Sequence, residues 1–109
     1  MKVKVTKEHS DEWEITQFPT FAKGSTVKME KAEDKEFPGW HAAVIDGHET
    51  FVPKIFVHCG KLRRDYNPTE ISANVGDILT VIETVGGWLH VETANGTIGW
   101  IPTARVSEI

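Results

Sequence analysis

Apolar and polar residues alternate along Trp88-Leu89-His90-Val91-Glu92, a period of two that predicts a strand with Leu89 and Val91 turned to a core and Trp88, His90 and Glu92 on the opposite face. An indole beside a histidine and a carboxylate is a costly surface to leave uncovered, so Trp88 is a candidate contact residue. Asn95-Gly96 follows that strand, and Asp46-Gly47 stands at the same place in the first half; both read as two-residue hairpin turns, which need positive φ at both central positions. Pro53 and Pro102 each follow an apolar pair and stop the ladder, since proline has no N–H to donate. A single tight turn is expected after each proline, before Val57 and Val106. Glu30 to Glu36 is charged throughout without an apolar stripe and is expected to be a loop. No amphipathic helical stretch of useful length remains, and the predicted class is all-β.

The landmarks recur. Gly24-Ser25-Thr26-Val27-Lys28-Met29, Gly39-Trp40, Asp46-Gly47, Phe51-Val52-Pro53 and Val57 are answered by Gly76-Asp77-Ile78-Leu79-Thr80-Val81, Gly87-Trp88, Asn95-Gly96, Trp100-Ile101-Pro102 and Val106. Five landmarks in one order mark an internal repeat. Its units have about five strands each, and modules of about 50 residues bury too little surface to be secure alone. The expected organisation is consecutive: a first unit over residues 1–57, a connector over 58–61, and a second unit over 62–109, the two packed on each other.

The second half resembles a Src-homology-3 (SH3) domain in its compact bacterial form. Arg64-Asp65-Tyr66 is similar to the end of A-L-Y-D-Y, and Glu70 to Leu79 is similar to E-L-S-F-x-x-G-D-I-L. Gly87-Trp88 resembles the family's G-W, and Gly99-Trp100-Ile101-Pro102 with Val106 resembles G-Y-I-P-S-N-Y-V. The first half is a weaker copy, with Glu8-His9 in place of Asp65-Tyr66. The resemblance implies two SH3-like β-barrels in tandem, and a groove of exposed rings for an extended, often proline-rich peptide, which arrives with little conformational entropy to lose. Carried over by position, the second unit keeps Tyr66, Trp88 and Pro102, with Arg64 and Arg105 at the other two tyrosine positions. The first keeps Trp40, Pro53 and Phe56, has His9 at a tyrosine position, and offers Trp13 in a lengthened loop; its groove is the fuller one. Trp100 and Phe51 match a position in the barrel wall and are expected to be structural.

Composition and charge narrow the chemistry. Sixteen Asp and Glu against twelve Lys and Arg give a net charge of −4, which disfavours a general nucleic-acid binder. Six of those carboxylates fall in two stretches beside Trp40: Asp11, Glu12 and Glu14, then Glu33, Asp34 and Glu36. They suit a ligand Arg or Lys, through charge-assisted hydrogen bonds and cation–π contact with the indole. The two arginines make the second groove locally basic. The lone cysteine, Cys59, follows His58, but neighbours on an extended segment point to opposite sides and cannot form a thiol–base pair. The five histidines show no metal spacing, and His41, aligned with Leu89, is expected to point to the core as a hydrogen-bonded structural residue. No phosphate loop or nucleophile motif is present. The expectation is a bacterial, cytoplasmic, non-enzymatic module without cofactor or metal, away from membranes and nucleic acid, monomeric or homodimeric, that recognises a peptide or protein segment. Two other readings remain: an assembly module whose rings are buried within the tandem or a homodimer, and a cell-wall (peptidoglycan) binding module.

Overall fold

A computed structural model describes residues 1–9 and 17–109, with only the backbone described over 30–33. Among the described residues ten strands form an all-β structure: β1 (Lys2–Val5), β2 (Val27–Glu33), β3 (Trp40–Ile45), β4 (His48–Pro53), β5 (Val57–His58), β6 (Lys61–Leu62), β7 (Ile78–Val85), β8 (Trp88–Glu92), β9 (Ile98–Pro102) and β10 (Val106–Glu108). The ladders form a five-stranded sheet in the order β10-β1-β7-β8-β9, a three-stranded sheet β2-β3-β4 and the β5-β6 pair. The expected closed barrels are therefore not seen as such; the ladders are open sheets joined by isolated bridges.

The contacts divide the chain differently from the consecutive scheme. Unit 1 joins residues 1–17 to 69–109, and unit 2 is the intervening 18–68. Lys2-Val3-Lys4-Val5 alternates, so one face of β1 is apolar, and that face enters unit 1: Val3 and Val5 are buried with Ile71, Ala73, Leu79, Leu89, Val91 and Ile101. Antiparallel ladders hold β1 on both sides, Val3 facing Glu108 across β10 and Leu79 across β7. The stretch expected to connect the units, 58–61, is instead the tip of a hairpin inside unit 2. Cys59 and Gly60 both have positive φ there, as a tight two-residue turn demands.

Within unit 2, β6 runs on into Tyr66, which exchanges two backbone hydrogen bonds with Phe21. Phe21, Val27, Ala43, Ile45, Val52, Phe56, Leu62 and Tyr66 are among its buried side chains. Asp46 and Gly47 have φ of 47° and 79°, the expected hairpin turn. At Asn95-Gly96 the expectation fails: only Gly96 has positive φ, and Thr93 N–H reaches the Thr97 carbonyl at 2.8 Å, which makes a longer turn closed by the glycine. The Thr93 and Thr97 hydroxyls both bond to the Asn95 side chain, fixing it on the loop. A single 3-10 turn follows each proline, Lys54–Phe56 and Thr103–Arg105, as expected. Charge misleads at Glu30 to Glu36, because β2 extends to Glu33 and pairs with His41 of β3 through an irregular register.

The backbone hydrogen bonds of the two units correspond. Val5 N–H to Asp77 O has its counterpart in Leu62 N–H to Ser25 O, and Gly76 N–H to Val5 O in Gly24 N–H to Leu62 O. Thr6 N–H to Arg105 O matches Arg63 N–H to Phe56 O, the His9–Ala73 pair matches Tyr66–Phe21, and Thr103 N–H to Gly87 O matches Lys54 N–H to Gly39 O. In the first four of these correspondences the segment around β1 occupies in unit 1 the place that residues 61–66 occupy in unit 2.

Candidate functional site

The two arms that bring β1 and the 69–73 segment into unit 1 meet at the His9–Ala73 bridge. That bridge carries the His9 ring to Trp88 on β8, edge to face, with centroids 6.3 Å apart and planes at 81°. His9 Nε2 lies 2.9 Å from Glu70 Oε1, within hydrogen-bonding distance. The imidazole is mostly covered and Trp88 is half-buried. Pro102 lies opposite Trp88 in the β8–β9 ladder, and Arg105 reaches back to donate from Nη1 to the Glu8 carbonyl at 3.1 Å.

Along the same face of β8, His90 stacks flat on Trp100, with centroids 4.5 Å apart and planes 9° from parallel. His90 Nδ1 lies 3.1 Å from Glu83 Oε2 on β7. The ladders set Glu83 opposite His90 and His90 opposite Trp100, and a parallel bridge sets Trp100 beside Glu70. Trp88 and His90 thus share a face with Glu70 and Glu83 on its flanks, while Leu89 and Val91 fill the core as alternation predicts. A cleft of about 540 Å³ begins at Glu70 and is lined further by Ser72, Asp77, Thr93, Asn95 and Thr97.

The second aromatic set lies in unit 2 and is buried. Trp40 is 6% exposed, Phe56 4% and Tyr66 3%, and Pro53 is fully enclosed. Tyr66 packs edge-on to Phe56 at 5.5 Å and donates its hydroxyl to the Phe51 carbonyl at 2.7 Å; Arg64 lies over the Phe56 ring at 4.4 Å. Replacing Tyr66 with Phe should cost about 1 kcal/mol of stability, the net worth of one such hydrogen bond, and a urea titration measures it.

The grouping by halves is thereby rearranged. His9, expected beside Trp40, stands beside Trp88, and Tyr66, expected beside Trp88 and Pro102, stands with Phe56. Arg64 and Arg105, expected together in the second unit, fall in different units. Phe51, expected in the wall, is half exposed, whereas Trp100 is buried as expected. Trp13, Asp11, Glu12 and Glu14 lie outside the described residues, as does the Glu33 side chain. Asp34 accepts the Glu36 and Phe37 amides at 2.8 and 2.9 Å and so orders its own turn. His41 was expected to be hydrogen-bonded, yet its buried Nδ1 has no partner among the described residues. Sequence reasoning missed Glu70 as a site residue. The signal was available, because a glutamate opens the motif that leads to Gly76-Asp77.

Cys59 is exposed, and among the described residues no group of three His, Cys, Asp or Glu is placed to hold a metal. Among the described residues no helix is long and apolar enough to cross a membrane. These features define a small all-β unit with an aromatic face flanked by carboxylates. In the family comparison, residues 72–107, about a third of the chain, match the bacterial SH3 domain. The matched segment starts at Ser72, whereas unit 1 also includes β1, far upstream. No curated protein and no solved structure matches the chain.

Proposed function

We propose that the chain is a non-enzymatic recognition module of two SH3-like units, and that its ligand face is formed by His9, Trp88 and Pro102 in unit 1. The ligand is an extended peptide segment carrying a basic residue. The observation that carries this reading is the His9–Trp88 contact with Glu70 hydrogen-bonded behind it, inside the unit whose 72–107 segment matches the bacterial SH3 domain. An aromatic pair with one ring half accessible gives a ridge of a polyproline II ligand a surface to lie on. Glu70 and Glu83 supply the charge that a ligand Lys or Arg would meet. The recurrent backbone hydrogen bonds support reading unit 2 as a second copy of the module. With Trp40, Pro53, Phe56 and Tyr66 buried, that copy's aromatic set serves packing in this reading.

Titration with proline-rich peptides that differ only in carrying Arg or Ala tests the assignment. The Trp88 indole resonance and the amides around His9 and Glu70 should shift with the Arg peptide and less with the Ala peptide. Trp88→Ala should weaken binding by at least tenfold, in line with the loss of an aromatic anchor. A titration that moves resonances around Trp40 and leaves Trp88 still would reject the site.

A further inference from the structure

We infer that the two units are copies of one module that have exchanged their first strands, and that β1 is a docking strand: the His9–Trp88 face exists only while β1 is seated in unit 1. The inference relies on the recognition reading only for what the face does; the exchange itself stands on hydrogen bonds.

In a consecutive tandem, the strand that opens a repeat pairs with the remainder of that repeat. Here each opening strand pairs with the remainder of the other. Val5 takes the slot beside Gly76 and Asp77, and Leu62 takes the equivalent slot beside Gly24 and Ser25. Backbone bonding does not distinguish the two arrangements, because each slot offers the same donors and acceptors. The side chains do. In unit 1 the residue after the slot is His9, and it meets Glu70 at 2.9 Å. In unit 2 it is Tyr66, and it meets Phe56 and the Phe51 carbonyl. At the offset of 52 the counterpart of Glu70 is Phe18, so unexchanged pairing would set the imidazole against a phenyl ring and the tyrosine against a carboxylate. Asp65 adds a second preference by accepting the Lys23 amide at 2.8 Å.

The exchange also determines how the face is built. Its His9 wall comes from the first repeat and its Trp88–Pro102 wall from the second, and the covalent path between the walls runs through all of unit 2. Arg105 depends on β1 as well, since its acceptor is the Glu8 carbonyl. Undocking of β1 therefore removes the imidazole, the Arg105 anchor and two core valines together, and a ligand held on the face stabilises β1 by linkage.

Cysteine pairs in the full chain, with Cys59→Asn to leave no other thiol, test this. Asn suits the positive φ at that position. Lys4 and Ile78 are exposed and face each other across β1 and β7, whereas the consecutive arrangement would set Lys4 opposite Thr26, the counterpart of Ile78. Under mild oxidation Lys4→Cys with Ile78→Cys should crosslink within the monomer, and Lys4→Cys with Thr26→Cys should stay reduced; the reverse result overturns the exchange. In a urea series the reduced Lys4/Ile78 variant should lose the ring-current shift that Trp88 imposes on the His9 imidazole in the same step as the β1 amide signals, and the oxidised form should keep both to higher urea. A His9 shift that outlasts the β1 signals, or a crosslink that leaves its midpoint unmoved, overturns the docking-strand role. These readouts need no ligand. If the proline-rich peptide fails to bind while they behave as expected, the recognition reading falls and the exchange stands.

Discussion

Val5→Asp should unfold unit 1 and leave unit 2 folded. Val5 is fully buried in a strand with a partner on either side, so the substitution removes about 1.5–3 kcal/mol of burial and leaves an unpaired carboxylate in the core. Together these losses reach about 4 kcal/mol or more, a large part of the stability of an ordinary domain. In a nitrogen–proton spectrum the amides of residues 71–107 should collapse to the unfolded range while those of 27–57 keep their dispersion. A chain whose first strand belonged to the first half would show the opposite pattern, which makes this variant a test of topology as well as of stability.

Gly99→Ala should cost about 2 kcal/mol, and Gly99→Val about 3 kcal/mol, as overpacking against backbone does. A Cβ at Gly99 would lie 2.5 Å from Ile71 Cγ2, 2.9 Å from the Thr69 carbonyl oxygen and 3.2 Å from the Ile71 nitrogen. The methyl can give way, but the two backbone atoms are held by the bridge in which Trp100 N–H donates to Thr69 O and Ile71 N–H donates to Trp100 O. Shortening Ile71 should therefore fail to rescue Gly99→Ala. Thermal unfolding of the single and double variants measures this, and recovery in the Gly99→Ala/Ile71→Ala chain would show that the strain sits in the side chain alone. Because Glu70 belongs to the same arm, the variant should also disturb the His9 contact.

The two predictions separate what alternation discloses from what it conceals. Leu89 and Val91 were legible as core because period two is a local property of one strand, and Asp46-Gly47 was legible as a turn because positive φ at both positions is a local demand. The post-proline turns were legible for the same reason. The partner of β1 was not. Lys2-Val3-Lys4-Val5 announces a strand with one apolar face, but two nearly identical slots accept such a strand, and nothing within five residues ranks them. The ranking comes from pairs far apart in the chain, His9 with Glu70 and Tyr66 with Phe56. The candidate site inherited that ambiguity: its residue types were named, and their grouping followed sequence order instead of pairing. At Asn95-Gly96 two flanking threonines redirected the turn, and at Glu30 to Glu33 the backbone pairing of β2 and β3 overrode a run of charge.

Because Val3 faces Glu108 and Val5 faces Val106, the first and last strands of the chain lie side by side in one sheet. Closing the chain with a short tether there, and opening it between Gln17 and Phe18, would preserve each ladder described above. The rewritten chain would read as unit 2 followed by an uninterrupted unit 1, with all the groups of the His9–Trp88 face on the second of two successive segments. The present order is then one of two spellings of the same set of strand pairings, and in this one the strand that completes unit 1 stands far upstream of the rest of it.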